Sequence, residues 1–262
     1  MFDFSEFLTV SAVSLAATAL LMVVTALVGA RIGRHNVVDV TWGGGFVLIA
    51  LVAAVVGTGE SWRRIVLLVI VGMWGIRLAW HVFRRSLGHG EDPRYEELLA
   101  KAPGNKTVYA LRKIYLTQAF ALWFVSLPIQ VSAVSHGSVA AVASVGVVLW
   151  AVGLTFEAVG DAQLKAFKAD SSNSGTIMDR GLWSWTRHPN YFGDACVWWG
   201  IFIVAASAWP GVVTVLSPIA MTYFLVFATG ARLLEKSMAK RPGYSEYQQR
   251  TSYFFPLPPM DT

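Results

Sequence analysis

Apolar residues in this chain do not alternate or mark one helical face; they run almost unbroken for twenty residues and more, separated by short knots of glycine, proline and charge. Coiled into helices at about 1.5 Å per residue, such runs match the hydrocarbon thickness of a bilayer. They predict seven helices, at about residues 5–30, 38–58, 62–85, 109–133, 138–167, 190–208 and 211–234. Two boundaries rest on turn signals inside longer apolar stretches. His136-Gly137 divides Ile114 to Phe156, and Trp209-Pro210-Gly211 divides Ala195 to Ala231. The expected architecture is all-α, a polytopic membrane protein forming a seven-transmembrane-helix bundle in one integral membrane domain over residues 1–262, with a cytoplasmic tail over 235–262.

Composition sharpens this picture. With 55% hydrophobic and 14% charged residues, the chain suits lipid as its solvent rather than water. The first run, Phe7 to Ala30, lacks a basic leader and a small-residue cleavage site, which predicts a retained span. Arg31 and Arg34, the group from Arg84 to Lys113, Lys165 to Arg187 and Arg232 to Arg250 follow the first, third, fifth and seventh predicted spans and so share one side, with only Arg63 and Arg64 on the other. This bias places the N-terminus outside and the C-terminus in the cytoplasm of a multi-pass protein of the cell (inner) membrane. The net charge of +5 is spread over membrane loops, so no nucleic acid partner is expected. The lone cysteine, Cys196, lies in an apolar run and forms no internal disulfide.

The chemistry concentrates in residues 181–200, GLWSWTRHPNYFGDACVWWG. Pro189 suits a first helical turn and disfavours helix at His188, so a helix starting near Pro189 is predicted. Its first turn would carry Asn190, Tyr191 and Asp194, with Arg187 and His188 just before it, beside free amides able to hold an anion. The alternative is that this pair only meets lipid headgroups. Glu157, Asp161, Lys165 and Lys168 recur at spacings that share one helical face. Asp161 four before Lys165 suits a local ion pair, whereas Glu157 lies inside the apolar run, where a carboxylate faces a cavity or a partner. Arg77 sits in the middle of the third span, with His81 one turn on, and Asp39 is a candidate partner for it. Gly43-Gly44-Gly45 reads as close helix packing rather than a phosphate loop. The histidines show no metal-ligand spacing, so no metal is expected.

Taken with RLLEK and GYSEYQQRTSYFFP in residues 232–256, the motifs NVVDVTWG, GIRLAW, GEDPRYEEL and GLWSWTRHPNYFG resemble the steroid 5-alpha-reductase superfamily, above all its bacterial branch of unassigned function. The similarity covers nearly the whole chain; RHPNY alone is shared by sterol reductases and isoprenylcysteine methyltransferases. The resemblance implies a bundle with a polar cytoplasmic cavity that holds NADPH and reduces a carbon–carbon double bond conjugated to a carbonyl in a hydrophobic lipid or steroid-like substrate. It implies cofactor contacts from Glu157, Asp161 and Asn190, with Lys168 as a basic contact and Arg232 and Glu235 in the last-helix cluster. Arg187, His188, Tyr191 and Asp194 complete the expected cofactor set. Glu157 stands where the reductases carry Asn, and a carboxylate accepts but does not donate. The family's Glu–Tyr pair falls at Asp39 and Trp74. Since Trp relays no proton, Arg77 is expected to supply the missing donor, giving Asp39, Trp74 and Arg77 as the catalytic set. Two other functions are compatible with the chain: a methyltransferase holding S-adenosylmethionine through His188, Tyr191, Arg232 and Glu235, and a membrane lipid-binding protein with no enzymatic activity.

Overall fold

The computed structural model describes residues 2–228 and 230–260. Among them there is no strand; the chain is helical, with one isolated bridge between Thr186 and Ser252. By contact it divides into two units, one running to Ala143 and resuming over Ile201–Ser217, the other comprising Ser144–Gly200 and Pro218–Thr262.

The first unit opens with α1 (Phe4–Ile32), α2 (Val37–Val56) and α3 (Ser61–Ser86). Asp3 caps α1 by accepting from the amides of Ser5 at 2.8 Å and Glu6 at 3.1 Å, and Gly33, at φ 72°, ends it in the left-handed conformation that glycine adopts without strain. α2 and α3 touch backbone to backbone: a Cβ on Gly43 would lie 2.3 Å from the Gly75 carbonyl oxygen. Gly45 gives the same close approach to Leu122, whereas Gly44 faces open space. The expected packing role thus belongs to the outer two glycines.

The helix expected at 109–133 is broken. After α4 (Pro93–Ala100), the chain forms α5 (Lys106–Ala110), a π-turn at Leu111–Tyr115, α6 (Leu116–Val125) and α7 (Leu127–Ser132). Pro128 cannot donate to the preceding turn, so the helix stops at Ser126. The Trp123 carbonyl instead accepts from Ser126 Oγ and Gln130 Nε2, both at 2.9 Å, which keeps the break satisfied away from water. Arg63, fully buried, holds the far end together. Its Nε donates to Ser132 Oγ at 2.8 Å, and its remaining nitrogens donate to the carbonyls of Ser132, Ser135 and Gly137.

The second unit contains most of α8 (Ala140–Ala169), α9 (Leu182–Trp185), the start of α10 (Pro189–Ala206), most of α11 (Leu216–Tyr223), α12 (Ala231–Met238) and α13 (Tyr244–Arg250). Glycines again set the spacing. A Cβ on Gly153 would lie 2.5 Å from the Gly193 oxygen, one on Gly193 2.5 Å from the Glu157 amide, and one on Gly200 2.6 Å from the Trp150 amide. This brings the first turns of α10 against the Glu157 to Asp161 part of α8.

Among the described residues, five segments are long and apolar enough to cross a membrane: α1, α2, α3, α8 and Gly211–Met238, the last including a 3₁₀ turn at Gly211–Val215, α11, a π-turn at Phe224–Ala228 and α12. The other two expected spans fall short for different reasons. One is the broken segment above. The other is α10, whose 18 residues include the polar first turn.

Candidate functional site

A cavity of roughly 500 Å³ opens within the second unit. Leu164, Phe167 and Lys168 of α8 form one wall, residues 170–178 a second, and Trp183, Arg187 and His188 a third; Leu234, Met238, Arg241, Tyr244 and Tyr247 close it. The 170–178 loop is shaped by its own polar side chains. Asp170 accepts from the Ser172 amide at 2.9 Å and the Ser172 hydroxyl at 2.7 Å, and Gly175 takes a positive φ of 80°. Those two hydrogen bonds hold the Asp170 carboxyl below its ordinary pKa. Burial, aided by the neighbouring Glu235 carboxylate, pushes the Tyr244 phenol far up, and burial does the same to Tyr247, so both remain protonated donors at neutral pH.

One wall is held by a polar clasp centred on Glu235. The Arg187 guanidinium donates to Glu235 through Nε at 2.8 Å and Nη2 at 3.3 Å, and through Nη1 to the carbonyls of Thr251 at 2.6 Å and Gln248 at 3.2 Å. His188 Nε2 lies 3.0 Å from Glu235 Oε1, the Tyr244 hydroxyl donates to the same oxygen at 2.8 Å, and Gln248 Nε2 donates to Oε2. The His188 ring stacks on Tyr191 and meets Tyr253 edge-on. Bonds to backbone carbonyls tie the tail to this wall too: the Arg187 amide donates to the Ser252 carbonyl at 2.9 Å, the Tyr247 hydroxyl to the Trp183 carbonyl at 2.6 Å, and the Thr186 hydroxyl to the Phe254 carbonyl at 2.9 Å.

Of the ten residues expected to hold a cofactor, Lys168, Arg187 and His188 line this cavity. Arg187 enters it as a residue that also anchors the tail, because all three of its guanidinium nitrogens donate within the clasp. Glu235 is the acceptor at the clasp's centre and Arg232 is exposed on α12. Glu157, Asp161 and Asp194 are buried where α8 and α10 meet, with Asn190 Nδ2 donating to Asp161 at 3.3 Å. Asp161 lies one turn before the cavity's Leu164 and Lys168 on the same face of α8, so the charged stripe leads toward the cavity.

The first unit holds a separate polar cluster. Asp39, expected opposite Arg77, accepts instead from the Tyr95 hydroxyl at 2.6 Å and Arg94 Nη2 at 3.0 Å. Both partners belong to the GEDPRYEEL segment, which latches onto the start of α2: Glu91 accepts from the amides of His35 and Asn36, and Asn36 Nδ2 donates to the Gly90 carbonyl at 2.9 Å. Burial, reinforced by the Asp39 charge, pushes the Tyr95 phenol far above its ordinary pKa. Trp74 is fully buried with its ring 5.7 Å from Phe46, and Arg77 follows one turn later on α3, partly buried.

Sequence reasoning missed Tyr95, Arg94, Arg241, Trp183 and the 170–178 loop. For the loop a signal was present, since DSSNSGT concentrates hydroxyl and amide groups directly after a basic helix end. For Tyr95 there was none; its partner lies 56 positions earlier. No cluster of metal-ligating side chains occurs among the described residues.

Comparison with known proteins adds a family. An uncharacterized protein of Schizosaccharomyces pombe is 32% identical over 94 residues, which is 34% of this chain and 27% of that protein; the matched part thus spans about a quarter of the relative's length. No solved structure matches the chain. The family described as "Protein of unknown function (DUF1295)" matches residues 25–251, which take in every residue that lines the cavity, and the chain belongs to that family.

Proposed function

We propose that this protein is an NADPH-dependent membrane reductase of the steroid 5-alpha-reductase superfamily, acting on a carbon–carbon double bond conjugated to a carbonyl in a hydrophobic lipid. The cavity of the second unit carries the proposal. Its volume lies within the range of about 300–1,000 Å³ typical of small-molecule sites. Phosphates call for cations and donors, which Lys168, Arg241 and the hydroxyl-rich 170–178 loop supply. Flat rings call for flat apolar walls, which Phe167, Trp183, Tyr244 and Tyr247 supply. The residues therefore fit a dinucleotide. When bound, NADPH supplies the hydride.

The remaining work belongs to the chain. Hydride addition to an enone places negative charge on the carbonyl oxygen and then needs a proton at the neighbouring carbon. The resemblance assigns this work to Asp39, with Trp74 and Arg77 in the tyrosine's place; Asp39 also accepts from Tyr95 and Arg94. The Glu235 clasp positions His188 and fixes the cavity wall without itself meeting the ligand.

The methyltransferase reading required Glu235 to face S-adenosylmethionine. The reductase reading placed Glu235 at its cofactor too, and the carboxylate is engaged by Arg187, His188, Tyr244 and Gln248, so it separates neither; the Glu157 and Asp161 pair, which the methyltransferase pattern does not call for, favours the reductase. The proposal includes seven membrane crossings, α10 and the broken 109–133 segment among them, in the cell's inner membrane with the cavity cytoplasmic. α10 measures about 27 Å at its helical rise, close to the bilayer core.

The test incubates purified protein with NADPH and a lipid extract from the source membrane, following nicotinamide oxidation and the masses of the lipids. Gain of two hydrogens by one lipid class is the expected result. Gain of a methyl group when S-adenosylmethionine replaces NADPH, without any NADPH oxidation, overturns it.

A further inference from the structure

The tail after α13 carries an apolar face that the reductase reading leaves unused. From Tyr253 to Met260 the sequence YFFPLPPM contains no charge. Phe254 is buried, whereas Phe255, Leu257 and Met260 are 68%, 57% and 59% exposed. That exposure matches Val148, 64% exposed on the apolar flank of α8.

The amides of the same segment are withdrawn from water. Pro256, Pro258 and Pro259 have no amide hydrogen. Leu257 donates to the Trp185 carbonyl and Met260 to the Arg250 carbonyl, each at 3.0 Å. From Pro256 to Met260 every amide is thus either absent or used, so no free donor of this segment faces lipid.

The fold also fixes the depth of the segment on a spanning helix. Along the apolar run of α8 the first charge is Glu157, immediately after Phe156. The Phe156 ring centre lies 5.2 Å from Phe192, and Phe192 lies 5.9 Å from Phe254 and 6.1 Å from Phe255. This ladder holds the tail beside the first charge on α8, on the side of the span that leads to the charged stripe and the headgroup boundary.

We propose that Phe255–Met260 is an interfacial strap whose exposed side chains lie in lipid, at the boundary between headgroups and acyl chains. The partner is the bilayer itself, since the segment offers neither charge for a peptide ligand nor free amides for strand pairing. A strap of this kind explains why an irregular tail keeps its apolar face outward.

The experiment uses the full chain with Cys196→Ala, reconstituted into phosphatidylcholine and phosphatidylglycerol vesicles and spin-labelled after Phe255→Cys, Leu257→Cys or, for comparison, Glu246→Cys on the exposed face of α13. Labels at 255 and 257 are expected to collide with membrane-dissolved oxygen and to be shielded from a water-soluble nickel chelate at least several-fold better than the label at 246. Equal nickel access at all three positions overturns the proposal. So does spin–spin broadening between copies at 255, which would make a second chain the occupant. Using two positions with different native side chains guards against a local effect of either label.

Discussion

Glu235 accepts hydrogen bonds from His188 and Arg187 just before α10 and from Tyr244 and Gln248 in α13, so one carboxylate joins three separate parts of the chain. Glu235→Gln keeps the shape and removes the charge. The Arg187 guanidinium, only 9% exposed, is then left facing a neutral amide, at a cost of roughly 3 kcal/mol for breaking a mostly buried pair. Trypsin is expected to cut the variant after Arg250 faster than the wild type, and an unchanged rate would show that the clasp does not hold the tail. Tyr95→Phe removes a hydroxyl and little else. Losing its hydrogen bond to the Asp39 carboxylate is expected to cost about 1.5–3 kcal/mol, read as a lower melting temperature. An unchanged melting temperature would show that this contact does not hold the segment to α2. The stripe Glu157, Asp161, Lys168 and the polar turn after Pro189 were legible because spacing alone puts them together. The clasp and the Asp39–Tyr95 contact were not, because each joins residues about fifty positions apart that only the folded chain brings into reach.

Helices in this protein are spaced by glycine. Gly193→Val would place side-chain atoms against the Glu157 backbone, where a Cβ already lies 2.5 Å from the amide. The expected cost is at least about 1–3 kcal/mol of overpacking, seen as a lower melting temperature. Gly44→Ala, which meets nothing within 4 Å, is expected to leave melting unchanged; equal effects at both positions would contradict the packing argument. At this scale the sequence was most informative where an apolar run is bounded by charge or glycine. The run predicted at 62–85 is the helix Ser61–Ser86, and the start predicted near Pro189 is where α10 begins. It was least informative at 109–133, since hydropathy counts side chains and not backbone partners. Pro128 signalled a break, but that Ser126 and Gln130 would satisfy the freed carbonyl depends on rotamers.

For the molecule as a whole, orientation rests on which arginines are counted. Arg63 and Arg64, the exceptions to the basic bias, donate to backbone carbonyls within their own unit rather than facing a headgroup layer. Setting them aside strengthens the expectation of an outside N-terminus. In a Cys196→Ala background, Thr58→Cys should therefore react with a membrane-impermeant maleimide on intact cells and Lys101→Cys only after lysis; the reverse pattern would invert the topology. Apolar length made the membrane class readable, whereas the cavity was not, because its walls come from α8, a polar loop, α12 and α13. The central claim is that this cavity takes an anionic dinucleotide, and calorimetric titration of the full-length protein with NADPH and, separately, S-adenosylmethionine tests it most directly. The account predicts saturable NADPH binding, weakened roughly tenfold or more by Lys168→Ala combined with Arg241→Ala, as expected for lost charge-assisted hydrogen bonds. Saturation by S-adenosylmethionine with none by NADPH, or an NADPH affinity indifferent to the double substitution, would contradict it.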